Sequence, residues 1–194
     1  ALLQGRGFRV TTNTTLFKGD TPESVAAFFD FLTSLNVEGM MVAPAYSYEA
    51  ASDQDHFLGC SDTQALFRRV FEMGRGRGWR FNHSRLYLQF LAGMRQYQCS
   101  PWGNPTRNIF GWQKPCYLQC DGYEPTFQEL INNTDWGHYG RGRNPACGTC
   151  MVHCGFEPSA VVDAVRKPWK LLYGDTIMRA GKEHDVESAP ASRA

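Results

Sequence analysis

The chain has 194 residues, of which 42% are hydrophobic and 20% are charged, and its formal net charge is +1. This composition is ordinary for a globular protein with a sizeable core, and the balanced charge gives no argument for a nucleic-acid partner. The longest apolar-dominated run, SVAAFFDFLTSL, is too short to span a bilayer. No charged segment followed by an apolar run opens the chain, so we expect no secretion signal and a cytoplasmic location.

A strand, a helix and a second strand are predicted in the first 50 residues. Residues 7–17 are rich in β-branched and aromatic residues, which favour a strand. Asp20 or Thr21 can cap the following helix, which has Pro22 at its first position. The run GMMVAPAYSYE then predicts a buried strand. The order predicts a βαβ unit with a parallel sheet, in which ligands bind beyond the carboxyl ends of the strands.

Five polar or aromatic residues are placed near this rim of the sheet by their positions. Asn13 and Thr15 belong to the first strand, and Tyr46, Tyr48 and Glu49 to the end of the second. These residues are candidates for lining a ligand cavity. Hydrogen bonding at a strand end and aromatic packing are the alternatives.

Two further helices precede a change in composition. SDTQALFRRVFEMGRGRG predicts a helix capped by Ser61 or Asp62, and HSRLYLQFLAG predicts a short helix that runs from a Ser84 cap to Gly93. From residue 95 to 157 the chain is rich in Cys, Gly, Pro, Asn and Trp and shows little periodicity. PSAVVDAVRKPWKLLYG then predicts a helix that Pro168 kinks or ends. We expect three parts: residues 1–93, a cysteine-rich region at 94–175, and a disordered tail at 176–194.

Six of the seven cysteines lie in the cysteine-rich region. The odd count and the expected reducing compartment disfavour a disulfide framework and favour metal or cluster ligation. Two cysteines flank Gly111 in a C-x11-G-x4-C pattern, and three more follow as C-x2-C-x3-C. The five candidate ligands are Cys99, Cys116, Cys147, Cys150 and Cys154.

Two kinds of thiolate site are open for these five residues. Four thiolates complete either a [4Fe–4S] cluster or a tetrahedral zinc site. The single closely spaced CxxC pair favours the cluster, and zinc remains the alternative. For Cys60 and Cys120 a buried free thiol is the simpler interpretation. His153, between two candidates, could replace a thiolate or serve only in support.

Three segments, in order, resemble the radical S-adenosylmethionine (radical-SAM) enzymes of hopanoid biosynthesis, the adenosylhopane synthase family. They are DTPESVAAFFDFLTSLNVEGMMVAPAYSYE, CSPWGNPTRNIFGWQKPC and CMVHCGFEPSAV, and the resemblance covers about residues 7 to 170. The cysteine pattern is also similar to the auxiliary-cluster extensions of the SPASM and twitch type. The resemblance implies an α/β fold: late βα units of a radical-SAM partial barrel in residues 1–93, then a loop-rich cluster-binding extension in 94–175.

The resemblance also implies an activity and its cofactors. In this family a [4Fe–4S] cluster reductively cleaves S-adenosylmethionine, and the 5′-deoxyadenosyl radical adds to the triterpene diploptene to give adenosylhopane. An auxiliary cluster on the five cysteines, a second cluster elsewhere, a reductant such as a flavodoxin or ferredoxin, and peripheral contact with the membrane surface are then expected. Asn13, Thr15 and Glu49 become candidates for contacts with S-adenosylmethionine.

One departure from the family pattern limits these expectations. The C-x3-C-x2-C motif that holds the primary radical-SAM cluster is absent, and Cys147, Cys150 and Cys154 have its intervals in reverse order. We therefore expect the carboxyl-terminal portion of such an enzyme, inactive alone. One of the five cysteines is a spare or a hydrogen donor to a radical. A non-catalytic metal-binding accessory domain, or an electron-transfer domain, is the alternative.

Overall fold

The first part of the chain forms the predicted strand–helix–strand unit. The structure, a computed structural model, describes residues 2–47, 51–116, 118–119 and 121–172. Strand β1 (Thr11–Leu16) and strand β2 (Gly39–Pro44) pair in parallel, with Thr11 opposite Gly39, and helix α1 (Pro22–Ser34) connects them. Thr21 caps α1 by accepting a hydrogen bond from the Ser24 amide. The prediction of a capped helix with proline in its first turn is therefore confirmed.

A third, very short parallel element extends the sheet on the other side of β2. Phe81 forms an isolated parallel bridge with Met40, so this third element consists of a single pairing. Helix α2 (Cys60–Met73) precedes it. The predicted cap for α2 was wrong: the helix begins before Ser61, and Gly59 occupies the capping position without a side-chain hydrogen bond.

Aromatic packing between the helices and the sheet forms the core of this unit. Phe29 of α1 contacts Trp79 and Phe81, with ring centroids 5.2 and 5.4 Å apart, and Phe71 of α2 lies 5.8 Å from Phe81. These rings are fully or largely buried, so the hydrophobic effect fixes both helices on one face of the sheet.

Helix α3 (Arg85–Leu91) connects the two halves of the chain. Ser84 caps it, as predicted, and most of its side chains are buried. Phe90 of α3 stacks on Phe156 of helix α5 (His153–Arg166) with ring centroids 4.6 Å apart, and the Tyr87 hydroxyl donates to the Met151 carbonyl at 2.9 Å. One hydrophobic cluster therefore includes side chains from both sides of the predicted boundary at residue 93.

The cysteine-rich region contains regular structure that the sequence pattern did not predict. Strands β3 (Thr106–Asn108), β4 (Gly111–Gln113) and β5 (Tyr123–Glu124) form a small antiparallel sheet. Helix α4 (Phe127–Asn133) follows, capped by Thr126. After α5, helix α6 (Trp169–Leu172) begins beyond Pro168, so the predicted break at this proline is confirmed.

The described residues thus form a mixed α/β fold, with a small parallel sheet, helices and a separate antiparallel sheet. The helix predicted to begin at Pro158 begins at His153 instead, and Pro158 lies inside it. This places Cys154 in the first helical turn. The predicted disordered tail lies outside the described residues. None of the described helices is long and apolar enough to cross a membrane.

Candidate thiol site

Two separate segments of the chain bring the five candidate cysteines together. Cys147 ends a short 3-10 turn (Pro145–Cys147) in which the Asn144 side chain accepts a hydrogen bond from the Ala146 amide, and Cys150 follows in the loop before α5. Cys99 and Cys116 lie on either side of the β3–β4 hairpin. All six cysteines in the described residues are free thiols.

The hairpin gives the first cysteine pair its geometry. Asn108 and Gly111 are opposite each other, and Gly111 has a φ of 128°, a conformation that favours glycine. A β-carbon at Gly111 would lie 2.6 Å from the Glu124 carbonyl oxygen of the neighbouring strand. The prediction that this glycine permits a turn that a side chain would block is confirmed.

The segment that carries Cys99 is bound directly to the start of α5. The Ser100 amide donates to the Gly155 carbonyl at 2.9 Å, and the Ser159 hydroxyl donates to the Gln98 carbonyl at 2.6 Å. Cys99 lies so close to the helix that a β-carbon at Gly155 would be 2.3 Å from its Sγ atom. Glycine at this position is therefore required for the thiol to occupy its place.

Cys99, Cys116 and Cys154 line the same cavity. This cavity is narrow, about 50 Å³, and mainly apolar, with Trp102 and Leu130 among its other lining residues. The Cys116 thiol forms a hydrogen bond with the Cys154 thiol, and this contact, together with burial, raises the pKa of Cys116. The two cysteine segments are thus in direct contact through their sulfur atoms.

Cys147 and Cys150 lie close enough to interact electrostatically with the cysteines that line this cavity. Burial, followed by the neighbouring Cys116 and Cys147, raises the pKa of Cys99 to about 12. Burial likewise raises the pKa of Cys150, opposed by a backbone hydrogen bond and assisted by the nearby cysteines, to about 12 in total. Each thiolate would therefore oppose ionisation of the others, and a cation among them would reverse this effect.

Hydrogen-bond donors surround the buried Cys147 sulfur. Gln119 Nε2 donates to it at 3.1 Å, and the Gly140 amide donates at 3.4 Å. Asn144 orients the glutamine by donating to its Oε1 atom at 3.0 Å. These donors fix the position of the Cys147 sulfur, as the neighbours of a metal ligand do.

The arginine at position 141 fixes the loop around Cys150. Its guanidinium donates twice to the Cys150 carbonyl, at 2.7 and 3.2 Å, and lies 5.4 Å from the centre of the Phe156 ring. It therefore places one positive charge next to the thiols. Neither this residue nor Gly155 belonged to the sequence pattern that identified the cysteines.

The donor set fits a soft metal or an iron–sulfur cluster in its chemistry, because the structure brings five thiols from two segments near one another. As they stand, no three Cys, His, Asp or Glu side chains in the described part of the chain are arranged to hold a metal ion. Ligation would therefore require the cysteine side chains to rotate toward a common centre. Cys120 lies outside the described residues.

Cys60 also lies against this site. Its thiol is within hydrogen-bonding distance of the carbonyls of Gly148 and Thr149, at 3.7 and 3.5 Å, in the turn between Cys147 and Cys150. Cys60 is a free thiol, as predicted, but it is only partly buried. Its location beside the cysteine loop was not predicted.

The carboxyl end of β2 faces the same loop. The Tyr46 hydroxyl donates a hydrogen bond to the Ala146 carbonyl. Burial, followed by the nearby thiols of Cys150 and Cys147, raises the pKa of Tyr46. A cavity of about 490 Å³ opens here, lined by Tyr46, Gln54, Gln119, Ala146 and Thr149 among others. Its size is typical of small-molecule sites.

The other predicted rim residues are not brought to the thiols by any contact in the described residues. Asn13 and Thr15 are exposed on β1, and their side chains form no hydrogen bond within the described residues. Tyr48 and Glu49 lie outside those residues. Of the predicted rim, Tyr46 thus has the contact that links the parallel sheet to the cysteine loop.

A buried histidine joins β2 to α5 behind the thiols. His83 Nε2 accepts a hydrogen bond from the Val42 amide at 3.1 Å, so its Nδ1 carries the proton and donates to Glu157 at 3.2 Å. The His153 ring lies 5.5 Å from that of His83, and its buried Nδ1 has no partner within the described residues. Burial, followed by the neighbouring His83, lowers the pKa of His153.

An α/β protein with a site of clustered thiols at the edge of its parallel sheet is the class that these observations define. Residues 40–173 match the family described as Domain of unknown function (DUF3463). Because the match covers more than half of the chain, the protein belongs to this family. The matched region begins in β2 and includes all five candidate cysteines. The comparisons with curated proteins and with solved structures returned no match.

Proposed function

We propose that the chain is the carboxyl-terminal portion of a radical-SAM enzyme that adds the 5′-deoxyadenosyl radical to diploptene, giving adenosylhopane in hopanoid biosynthesis. The sequence resemblance supplies the reaction and the substrate. One structural observation supports the proposal most strongly: two separated cysteine segments meet beside a cavity at the carboxyl end of a parallel strand, where α/β sheets bind their ligands. The parallel β1–α1–β2 unit is proposed to belong to the partial barrel of that enzyme.

In this proposal the cysteines hold an auxiliary [4Fe–4S] cluster, which would supply one-electron chemistry when bound. Cys99, Cys116, Cys147, Cys150 and Cys154 provide five thiols for four positions. Gln119 and the Gly140 amide stabilise the Cys147 thiolate by donating to its sulfur. Arg141 holds the Cys150 carbonyl and contributes a positive charge that favours ionised thiols.

Tyr46 has a positioning role in the same proposal. Its hydroxyl holds the Ala146 carbonyl, one residue before Cys147, and its ring lines the larger cavity. It therefore connects the end of the barrel strand to the cysteine loop. Asn13, Thr15 and Glu49 are proposed as contacts for S-adenosylmethionine on the strength of the resemblance.

A non-catalytic role is the second candidate, either as a metal-stabilised accessory domain or as an electron-transfer domain. The lining of the larger cavity favours it. Within the described residues, Tyr46 is the only ionisable side chain that lines this cavity, so the described lining offers no charged partner for the amine or carboxylate of S-adenosylmethionine. Zinc would serve the accessory role as a structural ion.

The activity is tested with the full gene product that contains this chain, purified anaerobically. It is incubated with S-adenosylmethionine, a reduced flavodoxin and diploptene, and adenosylhopane is measured by mass spectrometry. We expect product from the wild type and from Cys60→Ala, and a loss of product from Cys147→Ala. A full gene product that carries both clusters and still gives no adenosylhopane would contradict the proposed reaction and leave the accessory or electron-transfer role.

A further inference from the structure

The tip of the β3–β4 hairpin exposes two large apolar side chains. β3 and β4 are joined by two residues, Ile109 and Phe110, because Asn108 and Gly111 are directly paired. Ile109 is 92% exposed and Phe110 is 70% exposed. Together they form the most exposed pair of adjacent large apolar residues in the described part of the chain. The tip projects from the small sheet on the side of the turn.

The turn does not need apolar residues at these positions. Its backbone is set by the Asn108 side chain, which accepts a hydrogen bond from the Phe110 amide at 2.9 Å, and by Gly111 with its positive φ. Hairpin turns usually carry polar residues or glycine, which remain hydrated at no cost. The turn itself therefore does not account for the exposed apolar surface of these two side chains.

Aromatic contacts hold the hairpin in place behind its tip. Phe110 contacts Tyr123 of β5 with ring centroids 5.5 Å apart, and Trp112 of β4 contacts Phe127 of α4 at 4.9 Å. These contacts hold the base of the tip in one position. Ordering it for a contact therefore costs little additional conformational entropy.

The charge beside the tip is positive. Arg107 of β3 is exposed and forms no ion pair with any described residue. The nearest acidic side chain of the sheet, Glu124, is already paired with Lys114 at 3.1 Å. Exposed apolar side chains that can enter a bilayer interface, beside one cation that can contact anionic headgroups and contributes about 1 kcal/mol there, form a combination suited to weak binding at a membrane surface.

We propose that this hairpin tip inserts Ile109 and Phe110 into the surface of an anionic lipid bilayer, with Arg107 against the lipid phosphates. Two side chains of this size bury on the order of 400 Å². That is well below the roughly 800 Å² that each partner buries in a stable protein interface. A projecting tip can also enter a lipid surface, which deforms around it, more easily than it can dock on the surface of a rigid protein. The inference names a place for the peripheral membrane contact expected from the resemblance, but neither its observations nor its test depends on the proposed reaction.

Vesicle co-sedimentation tests the proposal on the full chain. Vesicles of phosphatidylcholine with phosphatidylglycerol are compared with pure phosphatidylcholine, and circular dichroism confirms that each variant is folded. We expect I109S/F110S to bind the anionic vesicles about tenfold or more weakly than the wild type. The matched control, L2S/F8S, removes two side chains that are 74% and 61% exposed elsewhere and should bind within about twofold of the wild type.

Two further measurements keep the outcome decisive. R107E should weaken binding to the anionic vesicles and leave binding to pure phosphatidylcholine unchanged, because it alters only the charge. Equal sedimentation of I109S/F110S and the wild type would overturn the proposal, as would a wild type that binds no vesicles. A wild type that is dimeric by light scattering, and that I109S/F110S converts to a monomer without any vesicle binding, would assign the tip to a second copy of the chain instead.

Discussion

Replacing Gly155 by alanine should separate Cys99 from the other thiols. The new β-carbon would lie 2.3 Å from the Cys99 sulfur, far inside van der Waals contact, so the thiol or the helix must move. Inserting a methyl group into a packed site costs about 1–3 kcal/mol, whereas alanine in place of a helical glycine contributes about 1 kcal/mol of stability. The net expectation is that G155A lowers the free energy of unfolding by up to about 2 kcal/mol.

The Cys99→Ala background supplies the control for this argument. Without the sulfur, the nearest atoms to the new β-carbon would be the residue 99 β-carbon at 3.6 Å and the Ser100 amide nitrogen at 3.7 Å, which are ordinary contacts. G155A should therefore become stabilising by up to about 1 kcal/mol in C99A. The sign change is measured by anaerobic urea denaturation of the four proteins in a double-mutant cycle. A G155A substitution that stabilises both backgrounds equally would refute the proposed close contact.

Other substitutions test the hairpin and the buried histidine pair. G111A should lower the free energy of unfolding, measured by urea denaturation, by about 2–3 kcal/mol, because it combines an unfavourable φ with a close backbone contact. The control G122A should lower it less, because Gly122 also has a positive φ but has open space around it. Burial opposes ionisation of Glu157, but hydrogen bonds from His83 and Ser84 more than offset it, so its pKa is lowered. A lowered folded-state pKa means that this group's contribution to stability is present above the usual value of 4.5 and is lost as the pH falls through the folded pKa. E157Q should therefore have a lower free energy of unfolding than the wild type at neutral pH, and the two values should converge in acid. The exposed control E72Q should follow the wild type at every pH. A difference between E157Q and the wild type that does not change with pH would contradict the assignment.

The parallel unit was predictable because it follows from local patterns, whereas the role of the cysteines as ligands stays a prediction. Thr21 with Pro22 specifies a helix start, and alternating or continuous apolar runs specify strands, so β1, α1 and β2 were found in order. Gly111 was recognised because a glycine midway in a long loop commonly serves a tight turn. The grouping of thiols rested on spacing and agrees with the contacts between Cys116 and Cys154.

The start of α5, the small antiparallel sheet and the role of Gly155 could not be predicted from local sequence patterns. The sequence pattern predicts a helix start at Pro158, yet α5 begins five residues earlier. Contacts such as the stacking of Phe156 on Phe90 outweigh the hydrogen bond that proline removes. The strands of the small antiparallel sheet are only two or three residues long, too short for a periodic pattern. Gly155 matters through a contact with a residue 56 positions away, which no local pattern encodes.

The identity of the bound metal decides what the thiol site is. The chain is prepared anaerobically, reconstituted with iron and sulfide in one sample and with zinc in another, and analysed for metal, sulfide and visible absorption. We predict about four irons and four sulfides per chain with broad absorption at about 400 nm, retained in Cys60→Ala and lost or reduced when a ligand among the five clustered cysteines is replaced. One tightly bound zinc with no sulfide would contradict the cluster, and so would iron loading that is unchanged when each of the five cysteines is replaced in turn.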